Sequence, residues 1–234
     1  MSAPPLAGSL AVVAGASRGI GLAIAEELQS AGAHVVRLAR SLSDASADRR
    51  TDVRCDVSVA DEVERMARRV LEQRGAPDIV VNNAGAFMIR PLAETTAADF
   101  LGQVTTNLVA PFLVLRAFLP AMMQRGSGAC VTIGSIADHT AFPGNAAYGA
   151  SKTGLRGLHQ VMAAEIAGSG LRATLICPGP VDTEAWDPID PDARPGFTRR
   201  RDMLRAEDVA EAVLFVCTRA WHITIPELHI EPRR

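Results

Sequence analysis

The feature that most constrains this chain lies near its start. Leu10 to Ala14 is a short apolar run that stops on glycine, which reads as a buried strand. Gly15-Ala16-Ser17-Arg18-Gly19-Ile20-Gly21 follows, and then Ile20, Ile24 and Leu28 share one helical face before Gly32. A strand that turns through glycines directly into a helix is the first half of a βαβ unit. Glycines there permit a tight turn and a close backbone approach to a pyrophosphate. The N-terminus of the helix adds free N–H groups and the positive end of its dipole. Gly15, Ser17, Arg18, Gly19, Ile20 and Gly21 are therefore candidates to hold a dinucleotide.

The alternation continues to the end of the chain. Strands are expected at His34 to Ala39, Asp52 to Asp56, Asp78 to Asn82, Cys130 to Gly134, Arg172 to Cys177 and Glu227 to Ile230. Helices are expected after Ser58, from about Ala98 to Gln124, from Tyr148 to Ser169 and from Glu207 to Arg219. Ser58 reads as an N-cap, with Asp61 three residues on in a capping-box-like pattern. The strands are too apolar to have a wet face, so they belong to a parallel sheet with helices on both sides. The expected fold is a single α/β domain spanning 1–234, doubly wound. Within the long helix, Leu108 to Leu119 is apolar almost all round, which calls for deep burial or a covering subunit. Residues 182–205 carry Pro188, Pro191, Pro195 and Gly196 among mixed charges and read as a substrate loop.

Composition excludes several classes. A net charge of −2 gives no reason to expect nucleic acid or a membrane surface as partner. Met1 to Gly8 lacks the basic and apolar regions of a signal peptide, and no uninterrupted apolar run reaches the ~18 residues of a membrane span. Cys55, Cys130, Cys177 and Cys217 are far apart and read as buried free thiols, which suits a cytoplasmic location. The five histidines show no metal-ligand spacing, so no metal is expected.

Further motifs stand at the strand ends. Asn82-Asn83-Ala84-Gly85 closes the fourth expected strand, Asn107 opens an NLxxPF stretch, and Ser135 ends the fifth. Tyr148-Gly-Ala-Ser-Lys152 is a YxxxK motif, and Pro178-Gly179 follows the sixth strand. Together with the GxxxGxG turn, these cover nearly the whole chain in the order in which the short-chain dehydrogenase/reductase family carries them. The chain resembles that family in its compact single-domain, Rossmann-like type. The resemblance implies oxidoreductase chemistry with Ser135, Tyr148, Lys152 and Asn107 as catalytic residues. Lys152 would also grip the nicotinamide ribose, and Asn107 would hold a water that links Lys152 to solvent. It implies cofactor contacts from Asn83, Ala84, Gly85, Pro178, Gly179 and Val181, and a pocket lined by Met88, Asp138, His139, Phe142 and Trp186. A homodimer or homotetramer is implied as well. Two positions depart from the pattern: Ala14 stands where the family usually has Thr, and Glu231-Pro-Arg-Arg234 replaces a longer tail with a Gly-Gly pair.

The residues themselves carry part of this chemistry. Hydride transfer to a carbonyl leaves an alkoxide that needs a proton. A free tyrosine titrates near ~10, and a neighbouring ammonium lowers that value. Tyr148 and Lys152, four apart on a helix, share a face, which predicts a Tyr148 lowered by Lys152. Ser135 would hydrogen-bond the substrate oxygen. The residue that typically holds the 2′-hydroxyl of NAD is acidic. Alignment puts Ala39 there, with Arg40 next and Arg18 in the glycine turn, so the expected cofactor is NADP(H). Asp56 and Val57 resemble the family's adenine contacts. The reading is NADPH-dependent, reversible reduction of a ketone or aldehyde, with a 3-oxoacyl-thioester reductase as one plausible type. The alternative is a non-catalytic NADP(H)-binding regulator, which the intact Ser135, Tyr148 and Lys152 disfavour.

Overall fold

The structure is a computed structural model that describes residues 3–233. Met1, Ser2 and Arg234 lie outside the described residues, so only part of the N-terminal and C-terminal readings is visible. Eight strands form one sheet in the order β3-β4-β2-β1-β5-β6-β7-β8. They are β1 (Leu10–Ala14), β2 (His34–Ala39), β3 (Ala45–Ala47), β4 (Arg50–Arg54), β5 (Ile79–Asn82), β6 (Gly128–Ile133), β7 (Leu171–Pro178) and β8 (Glu227–Ile230). All ladders are parallel except β3 against β4. Every residue of β1 and β5 is buried, as the apolar runs require.

The helices are α1 (Gly19–Ser30), α2 (Ala60–Arg74), α3 (Ala97–Val104), α4 (Ala110–Arg125), α5 (Ala146–Glu165) and α6 (Ala206–Cys217). Two cores follow from the strand alternation. Val12, Val36 and Val80 meet Met66 of α2, Phe118 of α4 and Met162 of α5 on one face. Val13, Val35 and Val81 meet Ile24 and Leu28 of α1 and Val213 of α6 on the other. This is the doubly wound Rossmann-like architecture expected from the alternation. From β1 the chain first builds outward through β2, then returns to add β5 on β1's other side. The C-terminal ends of β1 and β5 therefore border the crevice where such sheets bind ligands.

Three expectations need correction. The third strand ends at Arg54 rather than Asp56, because the Asp56 carboxylate turns the chain by accepting from Ser58 N–H at 3.0 Å and Ser58 Oγ at 2.6 Å. That contact engages the Ser58 hydroxyl, so Ser58 is not the cap of α2; Val59 is, without a side-chain cap. The short antiparallel β3 was not foreseen, since Ala45-Ser46-Ala47 is fully exposed and lacks any apolar alternation.

The long helix is interrupted. Between α3 and α4, Thr105–Val109 forms a π-turn, in which the Ala110 N–H donates to Thr105 five residues back. The whole stretch Ala97–Arg125 is long and apolar enough, by length and composition, to cross a membrane. Here Leu113, Val114, Leu115, Phe118 and Met122 are instead buried in the core beside the sheet. Val109 and Phe112 stay exposed.

Candidate active site

The glycine turn is built on approaches that no side chain would allow. Gly15 has φ +74°, and a Cβ there would lie 2.7 Å from Ala84 Cα. A Cβ on Gly21 would lie 2.1 Å from the Gly15 carbonyl oxygen and 2.3 Å from Asn83 Nδ2. Asn83 Nδ2 donates to Gly15 O at 3.1 Å, so the Asn-Asn-Ala-Gly segment after β5 clamps the turn after β1. The N-terminus of α1 has no side-chain cap and no acidic residue in its first turn. Its leading N–H groups are left for an anion, so a dinucleotide phosphate fits this cradle.

The flanking candidates are gathered less tightly. Arg18, the N-cap of α1, is 3.9 Å from Glu184, and Arg40, after β2, is 3.9 Å from Asp56; both guanidinium groups are largely exposed. Ser17 and Ile20 are half-buried, and Ile20 packs on the α1–α6 core. Val57 is packed into the core facing α2, so its side chain is not presented to a ligand. Gly179 N–H donates to Ile230 O at 2.8 Å, and Val181 bridges to Leu204, so the segment after Pro178 is anchored to both β8 and the end of the 182–205 loop. Thr183 in that segment sits over Gly19, 3.3 Å from where its Cβ would be.

Lys152, Tyr148, Ser135 and Asn107 converge on the crevice from α5, the end of β6 and the π-turn. Lys152 is 5% exposed, and its Nζ donates to Ile133 O at 2.9 Å and lies 5.8 Å from the Tyr148 ring centroid. Burial lowers Lys152 to about 8, against the opposing pull of Asp138. Burial pushes Tyr148 up to about 12; the Ser135 hydroxyl beside it lowers it and the Asp138 carboxylate raises it further. The expected lowering of Tyr148 by Lys152 is thus reversed, because desolvation of the phenolate outweighs everything else. The Ser135 hydroxyl also accepts the Ala137 N–H at 3.2 Å.

Asn107 is fully buried. Its Oδ1 accepts Ala86 N–H at 2.7 Å, and its Nδ2 donates to Ala86 O at 2.9 Å and Ser151 Oγ at 2.9 Å. Ser151 Oγ in turn donates to Tyr148 O at 2.7 Å, so Asn107 braces the middle of the YxxxK motif. The position of a Cβ on Gly85 would lie 3.3 Å from Asn107 Oδ1 and 3.9 Å from Lys152 Nζ, so both atoms face one spot.

Behind Ser135 stands a charged network that spacing alone did not reveal. The Asp138 carboxylate, with no exposed side-chain surface, receives Arg156 at 3.0 Å and contacts His139 Nδ1 at 2.5 Å. Arg156 also donates to both oxygens of Glu227, which holds Glu227 down at about 2. Cys177, Glu227 and His229 bring ligand-capable atoms within 4.8 Å of one another, but Arg156 already donates to Glu227 there. His139 and Phe142 line an open cleft of about 520 Å³ together with Asn145. Met88 is half-buried next to Phe87. Phe87, which the sequence reading missed, stacks edge-on against Tyr148, and Trp186 stacks against Phe87. An aromatic two residues past the Asn-Asn-Ala-Gly motif was the available signal.

Residues 9–194 match the family model described as short chain dehydrogenase. The chain is 32% identical over 233 residues to 3-oxoacyl-[acyl-carrier-protein] reductase of Escherichia coli, covering 95% of this chain and 96% of that one. Among solved structures, serine dehydrogenase from Escherichia coli superimposes with a TM-score of 0.83 at 28% identity, over 95% of this chain and 97% of that one. A metagenomic short-chain oxidoreductase in complex with NADP gives 0.81 at 32% identity, over 98% and 99%. With the glycine cradle, the strand order and these likenesses in agreement, the chain belongs to the short-chain dehydrogenase family, oxidoreductases that use a nicotinamide cofactor.

Proposed function

We propose that the protein is a single-domain, NADPH-dependent reductase that converts a ketone or aldehyde to an alcohol, with Ser135, Tyr148 and Lys152 at its centre. The observation that carries this reading is the convergence of these three side chains on the crevice, with Lys152 Nζ 5.8 Å from the Tyr148 ring centroid. A phenol so placed is protonated at neutral pH, which is the form that a reduction needs. When bound, the nicotinamide supplies the hydride. Tyr148 donates its proton to the carbonyl oxygen as negative charge develops there. Ser135 holds the same oxygen by a hydrogen bond. Lys152, buried and steered by Ile133 O, is placed to reach a ribose and to restore the Tyr148 proton. The spot beside Gly85 shared by Asn107 Oδ1 and Lys152 Nζ suits a bridging water in that relay.

The cradle of Gly15, Ser17, Gly19, Ile20 and Gly21 would hold the pyrophosphate. Asn83, Ala84 and Gly85 would line the dinucleotide, and Asp56, with the Val57 backbone, would meet the adenine. Pro178, Gly179 and Val181 would meet the nicotinamide end. Arg18 and Arg40 are exposed and only loosely paired, which leaves them free for a 2′-phosphate. Residues 182–205 form the substrate loop. The exposed Val109 at the end of the π-turn, Phe112 on α4 and Val161 on α5 suit pairing with a second copy of the chain, and a strict monomer by light scattering at micromolar concentration would remove that reading. The family resemblance and the absence of disulfides in the described residues suit work in the cytoplasm. The deciding experiment follows NADPH consumption against a panel of carbonyl compounds. Turnover by the wild type supports the reading. A folded, NADPH-saturated protein that turns over none of them would instead be a cofactor-binding regulator.

A further inference from the structure

The site holds more aromatic surface than proton transfer requires. The chain has ten aromatic side chains: seven Phe, two Trp and one Tyr. Four of them stand in one row. Phe87 meets Tyr148 with ring centroids 4.9 Å apart, Trp186 meets Phe87 at 4.7 Å, and Phe197 meets Trp186 at 6.2 Å, all edge to face. They come from three separate segments: the loop after β5, α5, and the loop after β7. Trp186 Nε1 donates to Val181 O at 3.1 Å, which fixes the indole with its apolar body toward Phe87.

These rings are half-buried rather than sunk in either core. Apolar rings left partly open beside a proton donor offer a ligand a large contact surface. Two of the arginines near them in the chain are neutralised, while Arg194 and Arg199, which flank Phe197, are exposed. Arg90, three residues beyond Phe87, is bound to Asp99, and Arg200, three beyond Phe197, is bound to Asp182 at 2.7 Å and Asp187 at 2.5 Å.

We infer that the substrate is a carbonyl compound with an aromatic or bulky apolar substituent, which lies against Phe87 and Trp186 while Tyr148 faces the carbonyl oxygen. This rests on the reductase reading above. Small charged carbonyls and polyhydroxylated ones are disfavoured, because each would exchange water for ring faces that return no hydrogen bonds.

The test uses acetophenone, pyruvate and dihydroxyacetone with NADPH. It also uses a Trp221→Phe protein, in which Trp186 is the one remaining tryptophan; Trp221 is 88% exposed. The expected kcat/KM for acetophenone exceeds that for each of the other two about tenfold or more, as one or two lost aromatic contacts imply. Phe87→Ala and Trp186→Ala each raise the KM for acetophenone about tenfold, and Phe87→Leu recovers part of the loss. Acetophenone changes Trp186 fluorescence saturably in the Trp221→Phe protein. Faster turnover of pyruvate or dihydroxyacetone would overturn the inference and leave the reductase reading standing. Saturable Trp186 fluorescence without turnover of any carbonyl would support the aromatic site and overturn the reductase reading. Neither turnover nor a fluorescence change would overturn both.

Discussion

The two ends of the crevice are built by opposite means. At the phosphate end the structure depends on missing side chains: Gly15 and Gly21 are pressed against Ala84, Asn83 and each other's backbone. At the proton end it depends on long side chains brought from distant segments: Asn107 reaches Ser151, Lys152 reaches Ile133, and Arg156 joins Asp138 to Glu227. The first construction suits a group common to many reactions and tolerates no local change. The second sets protonation by burial, so its properties are spread over residues that never meet the substrate.

If the two ends are separable, Tyr148→Phe gives the largest effect. Turnover should fall by ~10²–10⁴, while NADPH affinity, read by titration, stays within error because the ring remains against Phe87. Equal losses in both would show that the ends act as one.

Next comes Arg156→Met, which strands the buried Asp138 carboxylate. A loss of about 3–5 kcal/mol in urea unfolding is expected. Arg18→Met, at an exposed pair on the other end, should change stability by about 0–1 kcal/mol. Similar losses for the two would abolish the contrast in how the ends are stabilised.

His159 sharpens the comparison through pH. It is 4% exposed, bonded to Thr132 Oγ1 at 2.9 Å, and burial lowers it to about 4 from the ordinary 6.5. Between those values the unfolded chain binds the proton and the folded chain does not. Stability is therefore fully present above pH 6.5 and drains away as pH falls toward 4, by about 3 kcal/mol. His159→Gln should flatten that stretch of the stability profile measured by thermal unfolding.

The smallest effect belongs to the exposed arginines. The double change Arg18→Ala and Arg40→Ala should weaken NADPH binding about ten- to a hundredfold, worth ~1.5–3 kcal/mol, and leave NADH binding unchanged. A wild type that prefers NADH would show that Ala39 does not occupy the position that reads the 2′ substituent.

The difference between the ends also decides what could be read in advance. Glycines announce themselves, and the GxxxGxG turn, the parallel sheet and the spacing of Ser135, Tyr148 and Lys152 were all legible. The direction of the Tyr148 shift was not. A sequence shows that Lys152 is four residues away, but not that Lys152 is buried and the Tyr148 ring half-buried. The Arg156–Asp138–Glu227 chain was equally invisible, since its members lie 18 and 71 residues apart. Arg37 and Asp52 are a further case. Fifteen residues apart in the chain, they are ladder partners across β2 and β4, joined by two bonds of 2.6 and 2.8 Å.

The π-turn at Thr105–Val109 has a consequence for how this chain tolerates changes in length. One extra residue in a helical turn shifts everything beyond it by about 100° around the axis. The face of α3 that buries Gln103 is therefore out of phase with the face of α4 that buries Leu113, Val114, Phe118 and Met122. Removing any one residue from this turn would restore a single helical period and rotate α3 against α4, at a cost. Asn107 would swing off Ala86 and Ser151, and α4 could keep its core contacts only if α3 rotated away from α5. A chain one residue shorter here, though more regular as a helix, should be a worse protein than one carrying most single substitutions.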